Sequence, residues 1–232
     1  MKKLVLFSLI LSSLSFVNAQ QGCKNQYGDT EADSLRCLEN ISAFRVNYDA
    51  KNYLDAYKAW QKIITICPCS WQGIWAYSQN MFDNLIRNES DSLQKERYID
   101  TLLWSFDVRH IYQSKRYTEG SGLGAKAFNL IRYRNSEYEK AMEMFTRSVE
   151  MEKEQTQPYI WDVYFQMAEQ IAKIKSDTTL LIEVYERANE YIDLSIVASY
   201  KKYEEVLELL DNLNLAFEKE QIIKKSGLLD YF

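Results

Sequence analysis

The chain has 232 residues, of which 47% are hydrophobic, and its formal net charge is −5 at pH 7. Its basic residues are interspersed with acids rather than clustered, so no nucleic-acid partner is expected. Only seven glycines and two prolines occur in the chain, and this scarcity of helix breakers predicts one elongated, nearly all-helical domain.

The N-terminus is typical of a secretory signal peptide. Two lysines precede an apolar run over residues 4–14, and the segment Val17-Asn18-Ala19 then places small residues at the cleavage positions. This pattern predicts a signal peptide over residues 1–19, and hence a protein exported to the periplasm or outer membrane of a bacterial envelope. An alternative interpretation makes Cys23, preceded by Gly22, the lipid-modified first residue of a lipoprotein, which would associate the protein with a membrane.

Four cysteines remain after such a cleavage, all in the first third of the chain. In an oxidising compartment an even number of cysteines usually forms disulfides. Helices predicted over residues 34–48 and 52–66 would form an antiparallel hairpin, with one cysteine at the start of the first helix and another at the end of the second. Cys37 is therefore expected to pair with Cys67. The two remaining cysteines, Cys23 and Cys69, are then left to pair with each other.

The segment Cys67-Pro68-Cys69 also permits a redox or metal interpretation. It lacks the two-residue spacer of thioredoxin-like sites, and the chain offers only His110 as an imidazole ligand. We therefore favour structural disulfides and expect no metal and no cofactor.

A helical-repeat pattern occurs twice in the chain. A tyrosine and an alanine three residues apart are followed, four residues later, by a large aromatic residue. This spacing places small and large side chains on one helix face, where a second helix can pack closely. The positions are Tyr53, Ala56, Trp60 and Pro68 in the first copy, and Tyr138, Ala141 and Phe145 in the second.

Between the two copies, further helices are predicted. One covers residues 71–87, and a longer helix is marked by apolar residues from Tyr98 to Ile111. The predicted apolar face of the first is formed by Ile74, Tyr77, Met81, Phe82 and Leu85.

The only glycine-rich stretch, residues 120–124, precedes Lys126. A Walker-type phosphate loop needs a glycine directly before the lysine and a Ser or Thr after it, but this chain has Ala125 and Ala127 there. We interpret the stretch as a flexible lead-in to a helix over residues 125–133, with glycines where positive φ or close helix approach is needed. Such a lead-in could form a mobile lip beside a binding groove.

The remainder of the chain is also expected to be helical. Pro158 restarts the chain, and Asp177 or Thr178 is expected to cap the following helix. The last predicted helix carries a repeating apolar stripe and would close the array. Helices are predicted over residues 137–150, 159–175 and 200–225.

The repeat positions resemble the second helix of a tetratricopeptide repeat, in particular that of exported tetratricopeptide-repeat proteins of bacterial envelopes. The resemblance covers about residues 37–196. It implies an all-α fold, a right-handed superhelical array of about four antiparallel helix hairpins. The corresponding organisation is an N-terminal extension at residues 20–33, repeats at 34–199, and a capping helix and tail at 200–232.

The family resemblance implies a non-catalytic scaffold or adaptor that binds a peptide or protein partner on the concave face of the array. Catalysis has little support, because the single histidine, His110, leaves few options for a triad. The alternative function is that of a glycan-binding helical-repeat protein, in which exposed aromatic rings stack on sugars. The tryptophans considered for such stacking are Trp71, Trp75, Trp104 and Trp161.

Overall fold

The computed structural model describes residues 25–113 and 117–198, and the regular structure in these ranges is entirely helical. Short 3-10 helices at Asn135–Glu137 and Lys153–Gln155 flank the sixth α-helix. The eight α-helices of the described ranges are α1 (Glu31–Asp49), α2 (Tyr53–Ile66), α3 (Gly73–Asn88), α4 (Ser92–Gln113), α5 (Glu119–Tyr133), α6 (Tyr138–Glu152), α7 (Pro158–Lys175) and α8 (Thr179–Ala198).

Several helix boundaries follow from capping chemistry. The hydroxyl of Thr30 accepts a hydrogen bond from the backbone N–H of Asp33 at 3.0 Å, so α1 begins within the segment expected to be an extension. Thr118 caps α5 in the same way, since such hydroxyls satisfy N–H groups that lack a helical partner. Pro158 lies in the first turn of α7, where its missing N–H removes no helical hydrogen bond.

The helices pack mainly against their neighbours in sequence, from α1 with α2 through to α7 with α8, and α5 also contacts α7. Their facing sides are apolar and aromatic, and the side chains of Trp60, Phe82, Phe145 and Tyr164 are fully buried. Burial of such apolar area is the main favourable term in folding. An all-helical arrangement of successively packed helices is therefore confirmed for the described part of the chain.

Both copies of the repeat pattern lie on packed helix faces. Their alanines and large aromatic residues are fully buried, whereas the two tyrosines are partly buried against the core. The small alanines thus lie where another helix approaches. Pro68 lies in the loop after α2, and its carbonyl accepts a hydrogen bond from the Trp75 indole at 2.9 Å.

The prediction of a flexible lead-in at residues 120–124 is wrong. Helix α5 begins at Glu119, so Gly120, Gly122 and Gly124 are helical, and all three are buried. A Cβ atom at Gly122 would lie 2.7 Å from the Phe106 carbonyl oxygen of α4. The glycines therefore allow close helix packing instead of forming a mobile lip.

The two outer glycines face the opposite side of α5. A Cβ atom at Gly124 would lie 2.6 Å from Ser148 Oγ of α6, and one at Gly120 would collide with the Glu152 side chain. Ser148 Oγ also donates a hydrogen bond to the Gly120 carbonyl at 2.7 Å. The first turns of α5 are thus held between α4 and α6.

The predicted Cys37–Cys67 disulfide is confirmed, and it joins the second turn of α1 to the residue that follows α2. Cys69 is also disulfide-bonded. Its predicted partner Cys23 lies outside the described residues, as do the signal peptide and the helix and tail at residues 200–232.

Candidate functional site

Four aromatic side chains come together where α1, the start of α2, the loop after α2, and α3 meet. We call these residues, Tyr48, Tyr53, Trp71 and Tyr77, the aromatic surface. The ring centroids of Tyr48 and Tyr77 are 5.1 Å apart, and those of Trp71 and Tyr77 are 5.6 Å apart. Tyr77 is 45% exposed, and the other three are partly exposed. Solvent therefore reaches a group of contacting rings.

The aromatic surface rests on a buried side chain and carries a cation. The fully buried Phe44 stacks on Tyr48, with 5.7 Å between ring centroids. The Arg45 guanidinium carbon lies 4.0 Å from the centroid of the Trp71 ring. Stacking of this kind stabilises a cation over the negative face of an indole ring. The surface thus combines apolar ring faces with one exposed positive charge.

The loop that presents Trp71 is fixed at several points. Cys67 is tied to α1 by the disulfide, and the Gln26 side-chain amide donates to the Ser70 carbonyl at 2.9 Å. A Cβ atom at Gly73 would collide with the Trp71 ring, so glycine leaves room for the indole to fold over the start of α3. These restraints order the surface before any ligand binds.

The tyrosine hydroxyls of the aromatic surface can act as hydrogen-bond donors. Burial, followed by the nearby Tyr53 and Tyr77 phenols, raises the pKa of Tyr48 above its ordinary value. The Tyr48 phenol is therefore protonated at neutral pH. A ligand would meet ring faces, O–H donors and the Arg45 guanidinium, which together suit an apolar segment that carries an acidic group.

The four tryptophans considered for ligand stacking differ in accessibility. Trp75 and Trp161 are each 2% exposed, and the Trp75 ring stacks on Tyr112 with 5.7 Å between centroids. Neither can offer a ring face to a ligand from solvent. Trp71 is partly exposed within the aromatic surface, and Trp104, on α4, is 43% exposed.

Arg45, Tyr48 and Tyr77 were not identified as site residues from the sequence. The helical pattern predicts Tyr77 on the apolar face of its helix, yet its side chain is 45% exposed in the structure. The spacing of Arg45 and Tyr48 on α1 indicates only that they are neighbours on a helix surface. Their contacts with Trp71 and Tyr77 join segments distant in sequence, so helical periodicity could not reveal them.

Metal-ligand geometry is not found in the part of the chain that the structure describes, where no group of three or more His, Cys, Asp or Glu side chains could hold an ion. His110 is partly exposed, and its Nδ1 atom is buried without a hydrogen-bond partner among the described residues. None of the helices within residues 25–113 and 117–198 combines the length and the apolar character that a membrane span requires.

Comparison with protein-family models, curated proteins and solved structures gives no match to this chain.

Proposed function

We propose that the protein is a non-catalytic adaptor of a bacterial cell envelope and that it binds a peptide or protein partner on a tetratricopeptide-like array of helix hairpins. The observation that carries this proposal is the aromatic surface, in which three tyrosines, a tryptophan and Arg45 are ordered and reachable from solvent. Tyr, Trp and Arg are the residue types most enriched in protein interfaces.

The packing of the helices and the disulfide support this proposal. Helices that contact mainly their sequence neighbours are expected in a repeat array, which presents an extended surface to its partner. The Cys37–Cys67 disulfide is compatible with an oxidising compartment outside the cytoplasm.

The proposal is tested by crosslinking in cells of the source bacterium, affinity capture of the mature protein and mass spectrometry. The test variant is Tyr77→Ala, which removes an exposed ring from the aromatic surface. The matched control is Leu93→Ala, because Leu93 is 72% exposed on α4 and lies outside that surface.

We expect wild type and Leu93→Ala to recover the same envelope protein. Tyr77→Ala should recover much less of it, since an interface hot-spot tyrosine contributes about 2 kcal/mol or more, which corresponds to an affinity loss of more than about tenfold. Equal recovery by all three proteins would remove the aromatic surface from the proposal. Recovery of no protein by wild type would contradict the adaptor function.

A glycan ligand is the second candidate, and the exposed ring of Trp104 is the observation that favours it. Sugar rings stack on exposed indoles, so bound oligosaccharide should shift the tryptophan fluorescence. A saturable shift that Trp104→Ala abolishes, together with no recovered protein, would support glycan binding over the adaptor function. Absence of any shift across a set of envelope oligosaccharides would contradict it.

A further inference from the structure

Arg109, near the end of α4, is half-buried and has an unusual set of neighbours. Its guanidinium carbon lies 4.0 Å from the centroid of the Tyr117 ring. Its Nε atom donates a hydrogen bond to Gln113 Oε1 at 2.9 Å, so this acceptor is neutral. Arg109 takes part in none of the ion pairs formed between described residues.

The charge of Arg109 is therefore only partly compensated. Burial lowers the pKa of the guanidinium, and the nearby Tyr117 phenol opposes this effect. Arginine nevertheless stays charged in proteins because its ordinary pKa is so high. Charges removed from water are normally paired with an opposite charge, since desolvation without a partner is costly. Ring stacking and one neutral acceptor leave the terminal guanidinium nitrogens without a counter-charge among the described residues.

One phenol contacts this cation, and a second lies within electrostatic range of it. The hydroxyl of Tyr117 is buried and has no partner at hydrogen-bonding geometry among the described residues, and the nearby charge of Arg109 partly offsets the effect of burial on its pKa. Tyr159, at the start of α7, is 47% exposed, and its pKa responds to the charge of Arg109. Burial raises the pKa of both phenols, so each is an O–H donor at neutral pH.

The carboxylate that influences Tyr117 is already engaged elsewhere. Burial is the main cause of the raised pKa of Tyr117, and the charge of Glu152 adds to it. Glu152 accepts hydrogen bonds from the hydroxyls of Thr118 and Ser121 at the start of α5. It forms no ion pair with Arg109. Within residues 25–113 and 117–198, the group therefore presents one cation and two O–H donors, and no carboxylate pairs with the cation.

We propose that Arg109, Tyr117 and Tyr159 form a binding site for an oxyanion, the carboxylate or phosphate group of a ligand. An oxyanion would supply the missing counter-charge and accept hydrogen bonds from both phenols, and an arginine fork matches its geometry. The site lies on α4, the start of α5 and the start of α7. It is separate from the aromatic surface, and its existence does not depend on the proposed adaptor function.

The test titrates the mature, disulfide-bonded protein with sodium acetate or with inorganic phosphate, at constant ionic strength maintained with sodium chloride. Nuclear magnetic resonance follows the Arg109 Nε–H group and the backbone amide of Thr118. We expect a saturable shift of both signals with one of the two anions. Saturation by acetate alone identifies a carboxylate site. Saturation by phosphate with a lower dissociation constant than that of acetate identifies a phosphate site.

Variants separate this site from general ionic effects. Tyr159→Phe removes one donor from an exposed position while keeping the ring, and it should weaken anion binding about tenfold. Arg109→Gln should abolish the saturable shift of the Thr118 amide. The control is Arg147→Gln, because Arg147 is an exposed arginine of α6, and this variant should bind the anion as wild type does.

Either of two results would overturn the proposal. The first is that neither acetate nor phosphate produces a saturable shift. The second is a saturable shift that Tyr159→Phe leaves unchanged, combined with an Arg147 Nε–H signal that moves as much as that of Arg109 in wild type. This result would mean that the anion binds unspecifically to surface arginines. Neither result affects the crosslinking test of the adaptor function.

Discussion

Ser121 in the first turn of α5 donates a hydrogen bond to Glu152 at the end of α6, with 3.0 Å between Ser121 Oγ and Glu152 Oε2. Thr118, which caps α5, donates to the other carboxylate oxygen. The carboxylate at the end of α6 thus lies at the N-terminus of the preceding helix, α5, where unpaired N–H groups and the helix dipole favour a negative charge.

We expect Glu152→Gln to lower the free energy of unfolding by about 1 kcal/mol, because the amide keeps the shape but removes the charge from the hydrogen bonds and the helix terminus. Urea unfolding followed by circular dichroism measures the change. Glu143→Gln is the matched control, since Glu143 is an exposed acid on the same helix. An equal effect of the two substitutions would contradict the capping role.

Gly122→Ala tests the close approach of α5 to α4. A Gly→Ala change at an unobstructed helix position raises the free energy of unfolding by about 0.5 to 1 kcal/mol. Here the new Cβ atom would lie 2.7 Å from the backbone oxygen of Phe106, so α4 has to move. We expect the free energy of unfolding to fall by about 1 to 3 kcal/mol, the range typical of overpacked cores. Stabilisation by this substitution, measured by thermal or urea unfolding, would show that the two helices are not in close contact.

The Cys37–Cys67 disulfide should contribute strongly to stability. It joins residues 30 positions apart, and the loop-entropy relation gives about 3 to 4 kcal/mol for a loop of this size. The double variant Cys37→Ala and Cys67→Ala should lose about this amount in urea unfolding. Ser42→Ala, at an exposed position of α1, serves as the control, and a loss below about 1 kcal/mol in the double variant would contradict the expectation.

Alkaline pH should destabilise the protein through Tyr164. Burial raises the pKa of this phenol above 10.0, while the hydrogen bond with Thr146 and the charge and hydrogen bond of Arg187 act in the opposite direction. Because the folded pKa lies above the unfolded value, the stabilisation is fully present below about pH 10 and is lost as the pH rises toward the folded pKa.

Urea unfolding at a series of alkaline pH values checks this expectation. Wild type should lose stability above about pH 10, and Tyr164→Phe should lose less over the same range because it has no phenol to ionise. The Tyr164 hydroxyl is 2.6 Å from Thr146 Oγ1, so the variant is compared with itself at neutral pH to remove the effect of that lost contact. Parallel pH profiles of the two proteins would contradict the assignment.

Much of the helical order follows from local patterns that the sequence displays directly. Periodic apolar residues indicate α2 and α6, Pro158 marks the start of α7, and the turn between the first two helices places Cys37 beside Cys67. These features depend on helix geometry and capping, which act over a few residues, or on a hairpin of adjacent helices. They could be predicted without knowing how distant segments pack.

The role of the glycines at residues 120–124 and the exposure of Tyr77 were decided only by tertiary structure. A glycine suits a flexible turn and a crowded helix equally well, and the choice here depends on Phe106 of α4 and Ser148 of α6. Helical periodicity places Tyr77 on an apolar helix face. In the structure its ring contacts Tyr48 of α1, and its side chain remains 45% exposed. The sequence by itself determined most of the helical segments among the described residues and which cysteines of the first hairpin meet. Which helix faces remain open to a ligand depends on the approach of helices distant in sequence, and local periodicity does not contain that information.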